Sequence, residues 1–499
     1  MDGARSGAAV RGGTPRLLLS ATHKSSGKTT IAVGLAAAFA ARGTSVQTFK
    51  KGPDYIDPMW HTRVTGRPCF NLDFNTQSNA EIIATFTQNV QGAELALVEG
   101  NNGLHDGVDL EGGDSSAAMA KVLEAPVVLV VDATGVMRGI APLVLGYAAF
   151  DPDVTIAGLI LNKVGNARQE AKLRQAIERY TDIPVIGAIG RDAGLTLNER
   201  HLGLATPAES GRAEQALAAI RRTVADALDL DRLLAVARAA PDLPAVSAPA
   251  CRGGVPPDVR IAVARDSAFS FYYADDFAAL ERAGARLCFF DTLADNRLPE
   301  ADGLFIGGGF PETHADRLQA NAQLREAIRT AIRDGLPTYA ECGGLMYLSR
   351  AIIWRGQRNE MVGAIPADAV MYDKPQGHGL VILEETAQVP WPDVDGRARG
   401  APIPAHEFHH ARLENLDPNL RFAYRMRRGV GIDGRDGIVL GNMLAGFSHQ
   451  RTTACNNWAS RFVAFVRRHK ETCAWPAAAA VNPLPAERTR IVQGPIASR

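Results

Sequence analysis

Ala21-Thr22-His23-Lys24-Ser25-Ser26-Gly27-Lys28-Thr29-Thr30 is the stretch on which the fold turns. Ahead of it runs an aliphatic strand pattern, Arg16 to Ala21, and behind it an Ala-rich helical pattern that Gly43 can end as a C-cap. Strand, loop, helix is the order that aims backbone N–H groups and the positive end of a helix at a phosphate. Here the Lys28 ammonium bridges the outer phosphates and the Thr29 hydroxyl can ligate Mg²⁺, so Gly27, Lys28, Thr29 and Thr30 are read as nucleotide-binding. The usual loop opens with glycine where this chain has Thr22, and the flanking strand and helix carry the reading.

Outward from this loop, short β-branched or aliphatic runs alternate with longer helical patterns through the first 230 residues or so, the mark of βαβ units and a parallel sheet buried on both faces. Strands are expected at Arg16 to Ala21, Val46 to Lys50, Leu95 to Glu99, Val127 to Asp132, Ile156 to Asn162 and Val185 to Ile189. From Leu234 to Pro257 the chain turns to Ala and Pro, which reads as a linker. A second alternation follows, with strands at Arg260 to Ala264, Arg286 to Phe290, Gly303 to Ile306 and Pro337 to Ala340. The fold class is therefore α/β, a doubly wound phosphate-loop domain over 15–233 and a second α/β domain over 258–470. The linker is 234–257, and flexible tails are expected at 1–14 and 474–499.

The 499 residues hold 54 Lys plus Arg against 54 Asp plus Glu, so no global field draws in nucleic acid or an anionic membrane. No apolar run approaches the roughly 18 residues a membrane span needs. Cys69, Cys251, Cys288, Cys342, Cys455 and Cys473 form no C-x-x-C pair, which argues against a disulfide framework or a thiolate zinc site and for a reducing cytoplasm.

The second strand runs into Lys50-Lys51-Gly52-Pro53-Asp54-Tyr55-Ile56-Asp57-Pro58, and the third into Glu99-Gly100-Asn101-Asn102-Gly103-Leu104-His105-Asp106-Gly107. Carboxyl ends of parallel strands border the ligand crevice, so Asp54, Asp57, Glu99 and Asp106 should converge near the phosphates that Lys28 holds. Oxygen ligands suit Mg²⁺, and Thr29, Asp54 and Glu99 are the metal candidates. The stretch from Lys50 to Asp73 shows no period, and a compact domain rarely keeps so long a loop without function.

These motifs, with Asn71-Leu72-Asp73, Val98-Glu99-Gly100 and Glu199-Arg200-His201-Leu202-Gly203-Leu204, resemble those of the cobyrinic acid a,c-diamide synthase family across roughly Pro15 to Arg468. The resemblance implies an enzyme that uses ATP, Mg²⁺ and glutamine to convert the a and c acetates of a corrin-type macrocycle into amides. It also implies that Asp54, Tyr55, Asp57, Glu99 and Asp106 serve nucleotide, metal and substrate. The partner implied is a tetrapyrrole, with no nucleic acid and no membrane, in a protein for which a homodimer is one assembly to test. His23-Lys24-Ser25-Ser26, Phe74-Asn75, Asp373-Lys374-Pro375-Gln376-Gly377 and Gly446-Phe447-Ser448 depart from the family pattern and leave sirohaem, sirohydrochlorin and hydrogenobyrinic acid as alternative macrocycles. From other classes, a P-loop switch ATPase and a hydrolase active only in the second domain compete with this reading.

In the second domain a buried strand ends at Ala340 and Glu341-Cys342-Gly343-Gly344 turns into a helix. That resembles a nucleophile elbow, with Cys342 at a helix N-terminus that favours a thiolate. Gly308 and Gly309, after another strand, and Gly343 can offer N–H groups to an oxyanion. These are features of class I glutamine amidotransferase domains. His449 and His409 are the candidate bases, and the resemblance selects His449. The usual triad ends with Glu two residues after the base; this chain has Arg451 there, which leaves open what orients the ring.

Overall fold

All six side chains of β1 (Arg16–Ala21) are withdrawn from solvent, so helices must cover both faces of the sheet that holds it. The computed structural model describes residues 13–191, 199–200, 203–204, 213–243, 255–394, 396 and 400–472. In it β1, β2 (Val46–Lys51), β3 (Phe70–Leu72), β4 (Leu95–Glu99), β5 (Val127–Asp132), β6 (Ile156–Val164) and β7 (Val185–Gly190) form a seven-stranded sheet in the order β3-β2-β4-β1-β5-β6-β7. Every pairing is parallel. Leu17 and Leu19 pack with α1 (Lys28–Ala41) and α2 (Ile56–Thr65) on one face. Leu18 packs on the other, with α3 (Asn79–Asn89), α4 (Ser116–Val122), α5 (Ile140–Phe150) and α6 (Ala167–Tyr180). After the short antiparallel pair β8 (Glu199–Arg200) and β9 (Gly203–Leu204), α7 (Ala213–Ala227) and α8 (Leu230–Arg238) complete the first face. The strand order reverses at β1, which opens the crevice at the carboxyl ends of β1, β2 and β4.

Two expectations change. The supposed loop from Lys50 to Asp73 contains α2, with Pro58 tolerated in its first turn and Gly66 at φ 68° ending it. Its polar residues, Asp57 and His61, face inward and so hide the apolar period. The linker begins later than Leu234, because α8 buries Leu233 and Ala237 and runs through Arg238. Beyond it, the Asp242 carboxylate accepts a hydrogen bond from Gly13 N–H (2.6 Å). Residues 244–254 of that linker, 1–12 and 473–499 of the tails, and His201 and Leu202 of the Glu199–Leu204 motif lie outside the described residues.

The second domain has a nine-stranded sheet. Ala285–Phe290, Val259–Ala264, Gly303–Ile306, Thr338–Glu341 and Met443–Gly446 run parallel. Arg435–Leu440, Arg421–Arg428, Gly377–Glu385 and Ile403–His409 extend it antiparallel. That extension was not expected, since charged residues on the exposed face of Arg421–Arg428 mask a strand whose Phe422, Ala423 and Tyr424 are buried. The last helix runs Trp458–Thr472. Among the described residues no helix is long and apolar enough to cross a membrane.

Candidate active sites

The phosphate loop leaves β1 and returns to helix at Lys28, passing through Gly27 at φ 85°. Asn162 on β6 donates from Nδ2 to Ser26 O (2.8 Å) and lies where a Gly27 Cβ would stand, at 2.3 Å, so only glycine serves there. Lys28 Nζ donates to Asn102 O (3.2 Å), which ties the loop to the segment after β4. Asp106 shapes that segment, accepting Gly103 N–H at 2.9 Å, but it is exposed and stands apart from the other carboxylates.

Those carboxylates gather around a lysine. The Thr29 hydroxyl donates to Glu99 Oε1 (2.7 Å) and lies 3.2 Å from Asp57 Oδ2. Between them sits Lys50 Nζ, 2.5 Å from Asp57, 2.9 Å from Glu99 and 3.8 Å from Asp54. His61 Nε2 donates to the other Glu99 oxygen (2.7 Å). Asp57, on the first turn of α2, is thus the carboxylate beside Thr29. Asp54 instead accepts the N–H groups of Ile56 (3.0 Å) and Asp57 (3.1 Å) and stands further out. Burial opposes the charge on Lys50, but Asp57, Glu99 and Asp54 outweigh it and hold the ammonium well above its ordinary range. Glu99 is pushed low: its burial is overcome by Lys50 and His61. Asp54 is pushed up to about 7 by burial and by Asp57, and Lys28 down to about 8 by burial and by Lys50. Lys50 and His61 were not foreseen as site residues; the available signal was a lysine at the end of a strand buried throughout.

In the second domain Cys342 adopts φ 48°, ψ −103° between the strand Thr338–Glu341 and the helix Gly343–Leu348. Such a conformation costs of order 1–3 kcal/mol in a residue with a Cβ, and the structure holds it with Cys342 N–H donating to Gly446 O (2.7 Å). His449, with its side chain 2% exposed, lies beside it. Gly308, Gly309 and Gly343 flank the pair. A Cβ on Gly308 would meet His449 Cε1 at 2.5 Å, and one on Gly343 would meet Gly309 N at 3.1 Å. Burial would discharge His449, but Cys342 and Glu341 beside it reverse this and raise it to about 10. His409 is not part of the pair; it stacks on Phe447 (3.9 Å) and faces Glu407 (3.4 Å).

A cavity of about 210 Å³ joins the two halves. Pro53, Asp54, Tyr55 and Ile56 line it from the phosphate-loop side, and Phe271, Phe310, Cys342, His406, Phe408 and His449 from the other. Tyr55 turns its ring into this cavity. It stacks on Phe271 (5.2 Å, 4°) and stands 5.2 Å from His449.

Residues 18–204 match the CobQ/CobB/MinD/ParA nucleotide binding domain and residues 260–456 match the CobB/CobQ-like glutamine amidotransferase domain. Curated proteins called cobyrinate a,c-diamide synthase, from Magnetococcus marinus and Methanosarcina acetivorans, are 48% and 40% identical to it. Each alignment covers 91% of this chain, and 97% and 95% of those proteins respectively. One of the same name from Archaeoglobus fulgidus is 40% identical over 90% of this chain. With both domains matched in order and the likeness running nearly end to end, the chain belongs to the cobyrinate a,c-diamide synthase family.

Proposed function

We propose that this protein converts the a and c carboxylates of cobyrinate into amides, with glutamine as the nitrogen source and ATP with Mg²⁺ as the activating agent. Its relatives' names support the substrate, and the observation that carries the coupling is the single cavity lined by Cys342 and His449 together with Asp54.

Cys342 Sγ attacks the glutamine amide carbon and the His449 imidazolium gives its proton to the departing ammonia; water then hydrolyses the thioester to glutamate. In the other half, a macrocycle carboxylate oxygen attacks the γ-phosphorus of ATP and ADP leaves. Ammonia adds to the acyl carbon, and inorganic phosphate departs with the original carboxylate oxygen. Lys28 and the N–H groups of the loop through Gly27 to Thr30 hold the phosphates, and Lys50 offsets charge that builds near Asp57 and Glu99. Gly308, Gly309 and Gly343 supply N–H groups to the thioester-forming oxyanion, and Tyr55 walls the path that ammonia takes. Among the described residues no group of three or more His, Cys, Asp or Glu could hold a metal. Mg²⁺ fits nonetheless, because it commonly takes one or two carboxylates and completes its shell with water and phosphate oxygens. The Thr29 hydroxyl with the two carboxylates nearest it, Glu99 and Asp57, would hold it, and when bound it would neutralise the phosphates. Asp106 shapes the rim. The amidoligase unit starts at Pro15 and the glutaminase unit at Asp258.

The test is mass spectrometry of cobyrinate incubated with the purified protein, ATP, Mg²⁺ and amide-¹⁵N glutamine. Two ¹⁵N atoms per macrocycle, at a and c, are expected. An unreactive cobyrinate beside a reactive sirohaem or sirohydrochlorin would overturn the substrate assignment.

A further inference from the structure

We propose that Glu341, the residue before the nucleophile, is the positioning residue for His449, taking the place of the acid that the chain lacks two residues after its base. The inference rests on Cys342 and His449 being a glutaminase pair.

His449 Nδ1 is buried and has no hydrogen-bond partner among the described residues. The carboxylate facing it is Glu341, with Oε2 at 3.6 Å and both side chains at most 5% exposed. Catalytic hydrogen bonds are often longer before substrate binds, so this spacing is that of a contact ready to tighten. Glu341 is pinned from behind: its Oε1 accepts from Gln450 N–H (2.9 Å) and from the Tyr339 hydroxyl. Gln450 in turn donates from Nε2 to the hydroxyls of Tyr339 (3.2 Å) and Tyr424 (3.0 Å). That network turns the other oxygen, Oε2, toward the imidazole.

Position 451 is committed elsewhere. Arg451 donates to Asp275 (2.6 Å), to Asn71 O (2.5 Å) and to Gln77 Oε1 (3.2 Å). The other groups near the His449 ring do not compete. His406 stacks on it at 4.8 Å and 12° and is held neutral, well below its ordinary pKa, by burial and by His449 itself. Tyr55 presents its ring, with its phenol held well above its ordinary range by burial. A carboxylate at Nδ1 fixes the ring with Nε2 toward the thiol and stabilises the imidazolium, whose raised pKa has Cys342 and Glu341 as its sources.

The test is Glu341→Gln in the full-length protein. An amide N–H facing Nδ1 imposes the wrong tautomer, so glutamine hydrolysis should fall by about 10²–10⁴-fold in kcat with KM for glutamine little changed. In what remains, the alkaline limb of the pH profile should move to lower pH, because the imidazolium has lost its anion. Glu341→Asp should restore part of both, and amidation driven by ammonium salts should stay at the wild-type rate. Wild-type glutamine turnover with an unmoved alkaline limb in Glu341→Gln would overturn the proposal. So would loss of ammonium-driven and glutamine-driven activity together with no rescue by Asp, which is the mark of a structural role. A wild-type protein with no glutaminase at all would instead defeat the reading on which the proposal rests.

Discussion

Arg451 and Asn71 link the two domains directly: the guanidinium donates to Asn71 O at 2.5 Å, and the Asn71 amide donates to Gly52 O (2.9 Å) and Asp54 O (2.7 Å). His449 is two residues from one end of this chain of contacts and Asp54 forms the other. Arg451→Met should therefore uncouple the halves, so that more glutamate is released than amide is formed. Because it leaves Asp275 without its cation, it should also lower stability by roughly 3 kcal/mol in urea unfolding. A one-to-one ratio of glutamate to amide in the variant would refute the coupling.

Cys342→Ala should abolish glutamine-dependent amidation and leave the ammonium-dependent rate within about twofold of wild type, since truncating a thiol to a methyl disturbs packing little. Steady-state assays with the two nitrogen sources side by side decide it. Parallel loss would mean that Cys342 also serves the synthetase site.

Lys50→Met should stop amidation from either nitrogen source while glutamine hydrolysis persists. Met fills the space but leaves Glu99 and Asp57 facing each other unneutralised, a cost of about 3–5 kcal/mol for a buried pair broken on one side. Added Mg²⁺ with ADP should recover part of that loss in thermal melts. A variant that melts like wild type without Mg²⁺ would contradict the charge assignment.

Glutamine kcat/KM should hold on the alkaline side until the pH approaches about 10 and fall above it. The sign follows from the chemistry: the His449 imidazolium, its pKa raised, donates the proton that releases ammonia, and it is lost as pH rises through that value. An alkaline limb near the ordinary histidine pKa of about 6.5 would show that Cys342 and Glu341 do not stabilise the ring.

With ¹⁸O in the reacting carboxylate, one labelled oxygen should appear in inorganic phosphate for each amide formed, and ADP should be the nucleotide product. The phosphate loop grips the outer phosphates with Lys28 and so presents the γ-phosphoryl group. Label in AMP, or amide without label transfer, would exclude the acyl phosphate.

The sequence announces the parallel strands well because each is a short aliphatic run closed by a turn, and Leu95–Glu99, Val127–Asp132 and Gly303–Ile306 fall where expected. It conceals elements whose buried faces are polar for chemical reasons. Helix α2 turns Asp57 and His61 inward and so loses its apolar stripe. Cys342, Lys28, Thr29 and Glu99 stand in local motifs that mark them as candidates, whereas only the family resemblance selects His449 over His409. Lys50 and Glu341 matter through what surrounds them in three dimensions. Lys50 is one strand over from Glu99, and Glu341 is brought to His449 by the parallel pairing of Glu341 with Gly446. No spacing along the chain encodes either meeting.

The cavity shared by Tyr55 and Ile56 with Phe271, Phe310 and Phe408 belongs to neither domain, and that constrains how such a protein changes over time. A substitution on one wall is felt by an enzyme whose chemistry lies on the other, so the two halves must be inherited as a matched set. A chimaera that exchanges the domains of two relatives should fold as two sound units and yet leak ammonia, unless the residues of both walls travel together.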